Sequence, residues 1–140
     1  MNRKFLFALT ILIGLLFASG LLSAQASDQD ERIDHYEGHT FETEIEAFDA
    51  LKNKTEDVAK ILSAETLDDQ KMEQIHEISY IMEDAVAKIK NSASFDFSKL
   101  SENLETLHLA SEDHEAEKLR NAFKAYSTEF EEFKSTFKTQ

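Results

Sequence analysis

The chain has 140 residues, a formal charge of −13, no cysteine and no proline. Without cysteine there is no disulfide framework, no thiolate metal centre, no haem attached through C-x-x-C-H and no thiol redox chemistry. The acidic balance opposes phosphate backbones and anionic lipid, so nucleic acid is not an expected partner, while metal ions, polyamines and basic proteins are compatible with it.

Residues 1–26, "MNRKFLFALTILIGLLFASGLLSAQA", combine a basic start at Arg3 and Lys4, an apolar run from Phe5 to Leu22, and Ala24 and Ala26 in an A-x-A arrangement. This is the pattern of a secretory signal peptide cleaved after Ala26. The alternative is an uncleaved membrane anchor, since the run is marginally long enough to span a bilayer. Cleavage leaves residues 27–140, one small domain in size, expected to be periplasmic or secreted and detached from the membrane. Residues 27–39 are rich in charge and poor in apolar periodicity, and are expected to form a flexible acidic arm before a helical domain at 40–140.

After Ala26 the only glycine is Gly38. A β-rich domain uses more glycine and proline in its turns, so the chain is expected to be all-α. Four amphipathic segments follow. In the first, about Thr40 to Ser63, Phe41, Ile45, Phe48, Leu51, Val58 and Leu62 recur at helical spacing, and "TEIE" at Thr43 to Glu46 fits a capping box. The second starts from the cap signal "TLDD" at Thr66 and carries Met72, Ile75, Ile78, Met82, Val86 and Ile89 to about Asn91. The third holds Phe97, Leu100, Leu104, Leu107 and Ala110. The fourth holds Ala116, Leu119, Phe123, Tyr126, Phe130, Phe133 and Phe137 at unbroken 3 and 4 spacings, which read as core and not as a haem or lipid cavity. The links "SAETLD", "NSASFD" and "ASED" are short and polar, and no internal repeat is evident. Short links make consecutive helices antiparallel, so the expected fold is an up-down-up-down antiparallel four-helix bundle, with a three-helix bundle as the alternative.

Two stretches repeat one spacing: "EQIH" at 73–76 and "ETLH" at 105–108 each place a glutamate three residues before a histidine. Such residues share a helix face, and Glu-x-x-His is the ligand pair of di-metal carboxylate bundles. The candidate metal ligands are therefore Glu73, His76, Glu105 and His108, helped by a neighbouring carboxylate such as Glu112, for an ion such as Zn²⁺, Cu²⁺, Ni²⁺ or Fe²⁺. Two considerations oppose them. In a glutamate-rich chain, two such pairs arise by chance roughly one time in six. All four residues also lie one position past the apolar stripe, about 100° from it, where a polar seam beside the core is expected.

"HYEGH" at 35–39 sets His35 and His39 at an i, i+4 spacing able to bind a transition metal on a helix, but Gly38 interrupts it. "HEISYIMED" from His76 aligns His76, Tyr80 and Glu83 or Asp84 on one stripe, a hydrogen-bonded belt that could also relay protons. No nucleophile is paired with these groups and no phosphate loop is present, so an enzyme is not expected.

The segments "RIDHYEG", "IHEISYIMEDAV" and "LETLHLASED" resemble a family of small secreted bacterial proteins that carry a domain of unknown function. Its marks are H-[YF]-E-G, I-H-E-x-[ST]-Y-x-x-E and L-H-L-A-S-E, and the likeness runs from about Arg32 to Tyr126. It implies an exported helical domain and no particular activity. "LHLASED" at 107–113 is also similar to the turn between the last two helices of the soluble periplasmic b-type cytochrome bundle. That family's haem ligands, an early methionine and a late histidine, have no counterpart here, since the methionines are Met1, Met72 and Met82 and no histidine follows His114. The leading expectation is an exported, non-enzymatic bundle without a cofactor, acting on a cationic ligand or an envelope protein. The alternative is a periplasmic divalent-metal-binding bundle.

Overall fold

The computed structural model describes residues 38–91 and 93–137. The expected signal peptide and most of the expected arm lie outside them. Four helices follow in order: α1 Glu44–Leu62, α2 Asp69–Ile89, α3 Ser98–Glu112 and α4 Ala116–Thr136.

Local chemistry sets their ends. Thr43 is extended, and its Oγ1 accepts the N–H of Glu46 at 3.1 Å, so α1 begins after it. The Glu46 carboxylate reaches back to the N–H of Glu42 at 2.9 Å, one residue earlier than in the usual reciprocal box. α2 is capped by Asp68, not Thr66: the Asp68 carboxylate accepts the Lys71 N–H at 3.0 Å and pairs with the Lys71 ammonium. Those two bonds from Lys71 hold the Asp68 carboxyl below its ordinary range. α3 ends with the N–H of Glu115 on the Ala110 carbonyl at 2.8 Å and His114 in the left-handed region at φ 57°, which turns the chain directly into α4.

The contacts make every neighbouring pair antiparallel. Lys88, late in α2, donates to the Glu42 carbonyl just before α1 at 3.0 Å. Phe97, just before α3, packs on Phe133, late in α4, with ring centroids 4.8 Å apart. α1 and α4 close the bundle through long side chains: Phe48 meets Phe130, Phe133 and Phe137, Thr55 bonds Tyr126, and Arg120 donates to the carbonyls of Leu62 and Ala64. The four-helix expectation therefore holds over the three-helix one. Among the described residues, no helix is long and apolar enough to cross a membrane.

The core is a continuous cluster that includes Leu51, Val58, Met72, Ile75, Met82, Leu100, Leu104, Leu107, Leu119, Tyr126, Phe130 and Phe133. Two expectations change. Ile45 is 45% exposed, and the buried residue of that turn is Ala47. The link between α2 and α3 is not merely polar, because Phe95 packs on Phe133 at 5.3 Å, while Phe97 just before α3 is buried as its place in the third stripe implies. Phenylalanines from α1, this link and α4 thus gather at one end of the bundle.

Candidate metal centre

α2 and α3 run antiparallel, which brings a residue two turns into α2 opposite a residue one turn from the end of α3. These are His76 and His108. Their Nε2 atoms stand 3.1 Å apart. His76 is 5% exposed and His108 is fully buried.

That burial corrects the phase argument. Ile75 and His76 are neighbours some 100° apart on α2, and both are buried, as are Leu107 and His108 on α3. A bundle helix packs against two neighbours, so its buried arc is wider than one apolar stripe. Ile75 and Leu107 join the apolar core, while the imidazoles fill the α2–α3 contact. Close approach there is helped by two small residues, Ser79 and Ser111, both buried. Each hydroxyl bonds back to the carbonyl of the histidine three residues earlier, Ser79 to His76 at 2.7 Å and Ser111 to His108 at 2.6 Å. The local unit is therefore E-x-x-H-x-x-S, present at 73–79 and again at 105–111. The serines were the unread half of the signal.

Carboxylates surround the pair. Glu83, half-buried on α2, accepts from His108 Nδ1 at 2.8 Å. The Glu73 carboxylate stands 4.0 Å from His76 Nδ1, with its side chain about half exposed. Glu112, exposed in the last turn of α3, offers an oxygen that joins the two imidazoles in a three-atom group, all within 4.8 Å of one another. Of the four residues first singled out, His76 and His108 converge, Glu73 stands behind one of them, and Glu105, half-buried, is outside the three-residue group. Glu112, the auxiliary in the sequence reading, takes its place.

Tyr80 packs on both imidazoles, with centroids 5.2 Å from His76 and 4.4 Å from His108. Tyr80 and Glu83, which share the α2 stripe with His76, thus reach across to His108, Tyr80 by ring contact and Glu83 by its hydrogen bond. Asp84 is used otherwise: it accepts the backbone N–H of His39 at 2.7 Å. The His39 ring lies against Phe41, and His35 falls outside the described residues.

A model of the family of unknown function DUF6746 matches residues 1–135. The chain belongs to the DUF6746 family. This agrees with the resemblance read from the H-Y-E-G, I-H-E and L-H-L-A-S-E segments, which the match encloses. No curated protein and no solved structure matches the chain.

Proposed function

We propose that this helical domain binds one divalent transition-metal ion outside the cytoplasm, with His76 Nε2, His108 Nε2 and the Glu112 carboxylate as ligands, and that it does so as a binding protein and not as an enzyme. The observation that carries this reading is the pair of buried imidazoles facing each other through Nε2 at 3.1 Å. Two nitrogens on a tetrahedral Zn²⁺ ion with ordinary bond lengths stand about 3.3 Å apart, so the ion needs only a small separation of the rings. Export is supported by the leader-like residues 1–26, and the net charge of −13 favours approach of a cation.

The donor set favours late first-row ions. Two imidazoles and one carboxylate suit Zn²⁺, Cu²⁺ or Ni²⁺, whereas Ca²⁺ and Mg²⁺ require oxygen shells. A di-iron centre needs inward glutamates from the outer helices too. The buried residues of α1 are Ala47, Leu51, Val58 and Leu62, and those of α4 are Leu119, Ala122, Tyr126, Phe130 and Phe133, with no carboxylate among them.

A second reading rests on the same hydrogen bonds. The chain His76–His108–Glu83 satisfies buried polar groups at the α2–α3 contact and can fix helix register with no ion bound. Calorimetric titration of chelator-treated protein separates the two. The metal reading expects one-to-one binding of Zn²⁺, Cu²⁺ or Ni²⁺, none of Ca²⁺ or Mg²⁺, clear weakening by Glu112→Gln and little change in Glu105→Gln. Absence of heat for all five ions leaves the register reading alone.

A further inference from the structure

The carboxylate of Glu83 accounts for a proton that the two histidines could otherwise place in several ways. We propose that Glu83 is the positioning residue of this centre: by accepting the Nδ1 proton of His108, it fixes the tautomer that turns the His108 Nε2 lone pair toward His76 and the ion. The proposal rests on the metal reading above and assigns the group that prepares the site.

The argument follows donors and acceptors. A carboxylate only accepts, so at the 2.8 Å contact Nδ1 of His108 is the donor. Neutral imidazole carries one N–H, which leaves His108 Nε2 as an acceptor. The 3.1 Å contact between the two Nε2 atoms then places its proton on His76. His108 is therefore ready to ligate as it stands. His76 has to change: as the ion forms bonds to both Nε2 atoms, the His76 Nε2 proton leaves and Nδ1 takes one up on the side where Glu73 stands 4.0 Å away. The imidazole remains neutral and the proton count is unchanged.

Burial makes Glu83 effective. His108 is fully buried, and Glu83 is far less exposed than Glu73, with side-chain values of 24% against 53%. Carboxylates behind metal-bound histidines orient the ring and raise its basicity, and their loss costs about 10- to 100-fold in metal affinity. The charge of Glu83 also offsets part of the ion's charge at a contact removed from solvent.

The test uses full-length protein freed of metal. Two-bond proton–nitrogen correlation spectra of histidine-labelled protein identify the tautomer of each ring, and Zn²⁺ titration gives the affinity. The expected result is His108 protonated at Nδ1 in the wild type, loss of that single tautomer in the nearly isosteric Glu83→Gln, and Zn²⁺ binding weakened about 10- to 100-fold. Glu83→Asp, which keeps the charge but has a shorter reach, should fall between them. Wild-type His108 protonated at Nε2, or Glu83→Gln binding Zn²⁺ as tightly as the wild type, overturns the assignment. A wild type that takes up no Zn²⁺ overturns the metal reading and this role with it, and is recognised before any variant is compared.

Discussion

Thr55 on α1 and Tyr126 on α4 share a hydrogen bond of 2.9 Å at a fully buried phenol. Thr55 Oγ1 also donates to the Leu51 carbonyl at 2.7 Å, so the phenol is the donor to Thr55. This is a polar tie between α1 and α4 beside the Phe48 ring contacts and the bonds of Arg120 to the Leu62 and Ala64 carbonyls.

Burial raises the Tyr126 phenol above its ordinary value of 10.0, and the bond with Thr55 only partly opposes this. A group raised on folding contributes stability that is complete below its unfolded pKa and declines as pH rises beyond it. Stability should therefore hold up to about pH 10 and fall above it, as unfolding lets the phenol ionise. Tyr126→Phe should remove that component of the alkaline fall, while costing about 1 kcal/mol at neutral pH through the lost hydrogen bond. Urea unfolding at pH 7 and above pH 10 measures both effects. An unchanged alkaline slope in the variant contradicts the assignment.

The core face of α4 should be equally plain in mutational energies. Phe130→Ala and Leu119→Ala each remove a nearly or fully buried side chain and should cost about 2 to 5 kcal/mol. Glu131 sits on the outer face in an exposed pair with Lys134, and Glu131→Ala should cost under about 0.5 kcal/mol. Equal losses in chemical denaturation at the three positions contradict the packing.

His114 is the sole non-glycine residue with positive φ among the described residues, at the turn from α3 into α4. The left-handed conformation costs an ordinary residue about 1–2 kcal/mol. The contact of His114 Nδ1 with Asp69, at 3.0 Å, is exposed and offsets little of this. His114→Gly should thus leave thermal stability equal or slightly higher, and His114→Val should lower it. A glycine variant less stable than the valine variant contradicts this account of the turn.

The helices were legible because their apolar residues recur at helical spacing and their links are short. The α4 stripe, from Leu119 to Phe133, needed nothing but periodicity. Ile45 misled because Ala47, small and easily overlooked in a stripe, occupies the buried position of that turn. Phe95 lay in a stretch that read as a polar link, and periodicity is silent about loop residues that fold back onto a core.

At the candidate site, spacing singled out the two histidines that meet across α2 and α3, and phase set them beside the apolar stripe for a physical reason. A single stripe describes a helix with one partner, whereas α2 and α3 each have two neighbours, and the second contact buries the residue after each stripe position. The serines three residues beyond His76 and His108 mark that contact in the sequence, because small side chains allow the helices to approach. Glu83 was visible as part of a stripe. Its bond to His108 depends on the pairing of α2 with α3, which no single-helix pattern contains.

The most direct test of the metal centre is chemical unfolding of chelator-treated protein with and without Zn²⁺ at a hundredfold excess over its dissociation constant, in the wild type, His76→Ala and His108→Ala. The account predicts a gain of about 2.7 kcal/mol for the wild type and none for either variant. Unfolding curves that coincide with and without Zn²⁺ in the wild type, or a gain that survives both substitutions, contradict it.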